Sequence, residues 1–175
     1  MKNFAKFFMV VMVVGMLPSS ILAQENKTED LLGVISKADL QKGPYATWYN
    51  ENDQAYQVDQ AALVGLDQLL EGVEVKIIMG TWCHDSKREV PRFYKILSNV
   101  ATSEDKAEMI ALDRKKQAPN NETEGMGITN TPTFIFYKDG KEMNRIVETP
   151  VESLEKDMVK ILKGETYKHS KLLSE

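Results

Sequence analysis

The chain has 175 residues, enough for one domain with a sizeable core, and a net charge of −4 from 22 basic and 26 acidic side chains. No basic block interrupts the mild acidity, which argues against nucleic acid as a partner. A single cysteine rules out an internal disulfide, and with only two histidines, far apart, it makes no metal-ligating constellation.

The first segment reads as a targeting signal and not as part of a fold. Lys2 and Lys6 make a basic start, Phe7 to Leu17 an apolar stretch, and Pro18-Ser19-Ser20 a polar break before Ile21-Leu22-Ala23. The apolar stretch, about 11 residues, is well short of the ~20 that span a bilayer. Cleavage after Ala23 is expected, leaving a periplasmic or secreted protein with no stable membrane span; an uncleaved anchor is the competing reading. Residues 24–58 then form an N-terminal extension, 59–163 the main domain and 164–175 a C-terminal tail.

Leu31 to Ile35 is apolar enough to start a strand or a short helix. From Lys42 to Asp59 the turn residues Gly43-Pro44, Asn50, Asn52 and Asp53 alternate with Tyr45, Trp48, Tyr49 and Tyr56, which predicts an irregular segment packed by its rings. Asp59 is placed to cap a helix running to Leu70, with Ala62, Leu66, Leu69 and Val73 on one face. Val73 to Met79, a β-branched run between Gly72 and Gly80, predicts a buried strand. Val90, Phe93, Tyr94 and Leu97 keep the spacing of one helix face, with a kink expected at Pro91.

Glu108 to Leu112 is a second short apolar run ending at Asp113, and 114–127 is a charged, Asn/Gly-rich loop with room for one helical turn. Thr133 to Tyr137 and Met143 to Val147 read as two strands joined around Asp139-Gly140, a hairpin signal. Thr149-Pro150-Val151-Glu152 has the form of a capping box with proline at the first helical position. The helix it opens shows Val151, Leu154, Met158, Ile161 and Leu162 on one side and ends at Gly164. The tail, with His169, is expected to be solvated. A parallel strand pair with a crossover helix, then an antiparallel hairpin and a closing helix, predicts one α/β domain. It has a mixed central sheet with helices on both faces.

Cys83 falls just past a buried strand, in the first turn of the next helix. Free backbone N–H groups at a helix start carry partial positive charge and stabilise a thiolate, which can bring a cysteine pKa from ~8.5 into the range of about 3.5 to 7.5. His84 adds to this when protonated; Asp85 opposes it as a like charge. Both are read as residues that tune the site, together with Trp82.

The stretch Trp82-Cys83-His84-Asp85-Ser86 resembles the thioredoxin superfamily. There a strand leads into Trp-Cys, two variable residues follow, and then comes a resolving cysteine, here replaced by Ser86. It is similar to the Trp-Cys-Pro-Asp-Cys variant of thioredoxin-related proteins. Pro91 stands where that family keeps its helix-kinking proline, and Thr131-Pro132-Thr133 matches its cis-proline loop. The order of Asp113, the Asp139-Gly140 turn and the last helix agrees as well, over roughly residues 60 to 163. The resemblance implies a thioredoxin-like fold, Cys83 and Ser86 as the catalytic pair, and Thr131 and Pro132 as a substrate-binding loop that pairs with extended peptides. Two further departures are Ile77, where the family keeps a buried aspartate, and Met79, where a tryptophan is usual; a fast general disulfide reductase is not expected.

The chemistry left to one thiol is limited. Cys83 can attack a disulfide and form a mixed disulfide, but the Ser86 hydroxyl cannot resolve it. It can only donate a hydrogen bond to the sulfur. Another thiol must release the complex. The expected partners are therefore protein or peptide disulfides and thiols, and low-molecular-weight thiols; no cofactor and no metal are implied, and a monomer is expected. The alternative function is a non-catalytic binding module of the same fold that grips peptides at the cis-proline loop. A monothiol glutaredoxin fits less well, since that family has glycine and an aromatic between Cys and Ser. A one-cysteine peroxidase lacks its threonine, because Gly80 occupies that place.

Overall fold

The structure is a computed structural model that describes residues 29–100 and 106–174; the expected signal peptide lies outside the described residues. Its centre is β2 (Val73–Met79), whose last three residues Ile77, Ile78 and Met79 are wholly buried. That is what a β-branched strand closed in on both faces requires. β2 runs parallel to β3 (Ala107–Ala111) and antiparallel to β4 (Thr133–Lys138). β5 (Lys141–Val147) pairs antiparallel with β4 across a two-residue turn, where Asp139 and Gly140 take φ of 50° and 71°. The two positive angles match the right-handed twist of a hairpin. A short strand, β1 (Gly33–Ile35), adds antiparallel to β3, which gives the order β1-β3-β2-β4-β5.

β2, the helix α4 (His84–Asn99) and β3 form the parallel crossover unit; β4, β5 and α5 (Leu154–Leu162) form the antiparallel one. A mixed five-stranded sheet assembled in this order is the expected α/β, thioredoxin-like fold. α4 lays Val90, Phe93, Ile96 and Leu97 on the sheet, and the Phe93 ring stacks on Phe134 at 4.6 Å. α5 adds Leu154, Met158 and Ile161 to the same core. Pro91 lies inside α4, as its sequence position requires, without a backbone N–H to return to the preceding turn. The second sheet face, expected to carry helix as well, buries Ile78, Ile110 and Ile135 under Ala118, Met126 and Ile128 of the loop after β3. Pro119, Gly125 and Gly127 punctuate that loop, and among the described residues it is loop side chains, with no helix residue, that pack on this face.

Four local expectations are corrected. The segment expected to be irregular contains a regular helix, α2 (Ala46–Ala55), following the short α1 (Lys37–Leu40) and a turn of 3₁₀ helix at Gly43–Tyr45. Its asparagines do not break it: Asn52 Nδ2 donates to the Trp48 carbonyl at 2.8 Å, and buried Tyr49 anchors it. Asp59 does accept from Ala61 and Ala62 N–H, but the chain turns at Gly65 (φ 78°) and regular helix is confined to α3 (Leu66–Leu69).

The expected capping box at Thr149 does not form. The cap is Ser153, and the Val151 and Glu152 N–H groups go to the buried Asp157 carboxylate at 2.6 and 3.2 Å. The tail packs as well. The Tyr167 hydroxyl donates to Asp157 at 2.9 Å, Ser170 Oγ donates to the Val147 carbonyl at 2.7 Å, and a last short helix α6 (Ser170–Leu173) follows half-buried His169. A buried carboxylate demands donors, and Tyr167 of the tail with Val151 and Glu152 of the turn supply them to Asp157.

Among the described residues no helix is long and apolar enough to cross a membrane. Glu155, also buried, takes the Tyr56 hydroxyl at 2.9 and 2.8 Å on its two oxygens. Burial, reinforced by the neighbouring carboxylate, pushes both phenols well above their ordinary range: Glu155 acts on Tyr56 and Asp157 on Tyr167. A folded-state pKa raised above the unfolded value of ~10 means stability that is complete below that pH and lost as pH climbs past it. Unfolding measured against pH is therefore expected to show stability falling from about pH 10 upward. Tyr56→Phe and Tyr167→Phe are each expected to flatten that fall while costing about 1–3 kcal/mol at neutral pH, because a buried carboxylate loses a donor. An alkaline slope that neither substitution changes would contradict this.

Candidate functional site

The turn between β2 and α4 carries the thiol. Gly80 follows the last buried residue of β2, and its carbonyl accepts the Cys83 N–H at 2.9 Å, closing a tight turn over Thr81-Trp82. Cys83 is the N-cap of α4, with extended backbone (φ −82°, ψ 127°), and its own carbonyl accepts from Lys87 N–H at 3.0 Å. Cys83 is half-buried and free of any disulfide, and its sulfur donates to the Thr131 carbonyl at 3.1 Å. The Thr131–Pro132 peptide bond is cis, and Thr131 is 4% exposed. The sequence-separated segments Trp82–Ser86 and Thr131–Pro132 thus meet at one point, the sulfur.

Ser86 lies in the first turn of α4 and is completely buried. Its hydroxyl was expected to donate to the Cys83 sulfur; its hydrogen bond is instead accepted from the Gly80 N–H at 3.2 Å. This bond ties the end of β2 to the start of α4, so Ser86 braces the turn that presents the thiol. Trp82 is half-buried, with Nε1 donating to the Leu112 carbonyl at 2.9 Å just past β3. Arg114 sits over the indole at 5.8 Å and pairs with Asp30 at 3.2 Å. The Thr81 hydroxyl accepts the Leu31 N–H at 3.1 Å, so the strand-like N-terminal residues also brace this turn.

His84 points into solvent, 87% exposed, with Nδ1 at 3.9 Å from Asp85. Asp85 is better engaged by Arg88, at 2.7 Å. Arg88 also pairs with the buried Glu89 at 2.6 Å. Burial works against the Arg88 charge, but Glu89 and Asp85 outweigh it and lift its pKa above the ordinary value. The like charge that Asp85 brings to the thiol is thereby balanced within one helical turn. Ile77 and Met79 are both fully buried beneath this end of the sheet. No group of three or more His, Cys, Asp or Glu is placed to hold a metal among the described residues.

Three participants lie outside the motif that the sequence singles out. Gly80 had a visible signal, a glycine closing an apolar run, but its role is visible only in space: a Cβ there would lie 2.6 Å from the Trp82 ring. Arg88 and Arg114 had none, since charged residues on helix and loop surfaces are unremarkable in sequence.

No protein-family model matches the chain, and no curated protein does. Among solved structures the chain is similar to a thioredoxin from Fasciola hepatica, with 23% identity over 48% of this chain and 79% of that one, at a TM-score of 0.33.

The close approach at Gly80 generates a prediction. Gly80→Ala must displace the indole from the Leu112 carbonyl, with an expected cost of about 1–3 kcal/mol and a shift in tryptophan emission. Thermal unfolding and fluorescence check both. If neither moved, Trp82 would not be packed on Gly80.

Proposed function

We propose that this is an exported thioredoxin-like protein that carries out thiol–disulfide exchange through Cys83 alone. The observation that carries the reading is the placement of the one sulfur. Cys83 is the half-buried N-cap residue of α4, and its sulfur lies against the main chain of the Thr131–Pro132 segment, donating to the Thr131 carbonyl. Backbone N–H groups of the first helical turn favour negative charge developing on that sulfur. The main chain entering β4 beside it is a place for an extended peptide to pair, which would bring a disulfide to the thiol. Export rests on the basic, apolar and small-residue pattern that ends at Ala23, with a periplasmic or secreted monomer as the product.

The exchange runs in two steps. The Cys83 thiolate attacks one sulfur of a disulfide; the Cys83–S bond forms, the original S–S bond breaks, and the leaving thiolate takes the electron pair and then a proton. A second thiolate, from the substrate or from a low-molecular-weight thiol, attacks the sulfur bonded to Cys83. Cys83 leaves as thiolate and a new disulfide forms between the substrate sulfur and the attacking thiol. With a substrate thiol the net result is isomerisation. With an external thiol the product is a substrate–thiol mixed disulfide. A second external thiolate attacks the external sulfur of that bond, so that the substrate leaves as a thiol and the two external thiols end as their own disulfide. The substrate disulfide is thereby reduced. Ser86 takes no part in electron transfer, because its hydroxyl is hardly ionised near neutral pH and is occupied by Gly80.

Incubation with a peptide disulfide or glutathione disulfide is expected to give one adduct by mass spectrometry, absent in Cys83→Ser, that is released at a rate proportional to added thiol. Ser86→Cys is expected to remove that dependence, since a resolving thiol one helical turn away acts at high effective concentration. An adduct that forms but resists added thiol would favour the binding-module reading, with Cys83 as a tether. Absence of any adduct would end the exchange reading.

A further inference from the structure

β4 begins and β5 ends side by side at the thiol end of the sheet, where Thr133 pairs with Val147. The next residue, Glu148, has φ 65°, a conformation that residues with a side chain adopt rarely and at a cost. Three bonds hold it there. Its N–H donates to the Pro132 carbonyl at 2.7 Å. Its carboxylate accepts from Asn130 Nδ2 at 3.2 Å and pairs with the Lys171 ammonium. Asn130 is fixed in turn by Thr133 Oγ1, which donates to its carbonyl at 2.7 Å. Glu148 therefore grips both Asn130 and Pro132, and between those grips lies Thr131, whose carbonyl accepts from the Cys83 sulfur.

Lys171 arrives from the tail, which is itself anchored. Asn144 Nδ2 donates to the Tyr167 carbonyl at 3.1 Å, and Ser170 Oγ donates to the Val147 carbonyl at 2.7 Å. A glycine at position 148 would adopt the same backbone without strain and keep the bond to Pro132. What glycine could not supply is the carboxylate that joins Asn130 to the tail.

We propose that Glu148 is a positioning residue for the Cys83 site. Paired with Lys171, it latches the Asn130–Thr131–Pro132 segment so that the Thr131 carbonyl stays on the thiol proton and restrains the sulfur. Opening the latch lets Thr131 move away and speeds reaction at Cys83, so the C-terminal tail regulates the thiol from a distance. The inference rests on Cys83 being the reacting group, but alkylation reads that sulfur whether or not disulfide exchange turns over.

Charge reversal separates this from a through-space effect. If the latch acts through Thr131, Glu148→Lys and Lys171→Glu each break the pair. Both then raise the rate of Cys83 alkylation by iodoacetamide at neutral pH by roughly threefold or more. If charge alone mattered, added positive charge would speed the thiolate reaction and added negative charge would slow it, moving the two variants in opposite directions. The double reversal restores the pair and is expected to return the rate to the parent value. Circular dichroism and thermal unfolding confirm that each variant is folded. Should Glu148→Lys not fold, Lys171→Glu decides alone, since its site is half-exposed on the tail. A folded Lys171→Glu with an unchanged or slower rate overturns the proposal, as does a folded double reversal that fails to restore it.

Discussion

The turn from β2 into α4 is the constraint on which the site depends. Gly80 accepts the Cys83 N–H, gives its own N–H to Ser86, and leaves no room for a side chain beneath the Trp82 ring. These contacts convert a strand that is buried to its last residue into a helix whose first capping residue reaches the surface. A thiol at position 77, 78 or 79 of β2 would be enclosed in the core. A thiol further along α4 would lie beyond the unpaired amides of the first turn. The position of one sulfur thus follows from how tightly one strand is joined to one helix.

The second side of the site comes from the other half of the sheet. β4 begins at Thr133, and the residues before it turn toward α4 and place the Thr131 carbonyl on the sulfur. Ile77 and Met79, both fully buried, make the strand beneath this end of the sheet apolar. Charges are paired nearby: Asp85 and the buried Glu89 with Arg88 and Arg92 on α4, and Asp30 with Arg114 beside Trp82. The exposed Asp30–Arg114 pair contributes little to stability by itself.

The parts of this arrangement legible in the sequence are those with strong local signals. The β-branched run at 73–79, the helix face through Val90, Phe93 and Leu97, and the Asp139-Gly140 turn each carry a period or a turn residue that settles the element. The order of those elements yields the mixed sheet, and the Trp-Cys and Thr-Pro-Thr motifs locate the two segments that meet. What escaped is what depends on tertiary partners. The helix at Ala46–Ala55 is held by packing on α4 and by Asn52 bonding its own turn, against weak propensity. The start of α5 moved from Thr149 to Ser153 because a buried aspartate, Asp157, claims the amides that an earlier cap would have used. The tail is polar enough to read as solvated, yet Tyr167 reaches a buried carboxylate. Ser86 was legible as a residue of the motif, but its partner, Gly80, is a contact no spacing encodes.

Exchange at Cys83 requires that the folded protein present the thiol for reaction. The most direct measurement is its alkylation rate at increasing denaturant, below and through the unfolding transition. A rate that is appreciable without denaturant and flat until unfolding begins shows reaction from the native state, as this structure predicts. A rate near zero in the native protein that rises with denaturant in step with the unfolded population shows a sulfur reached only by opening the fold. That result would contradict the central claim.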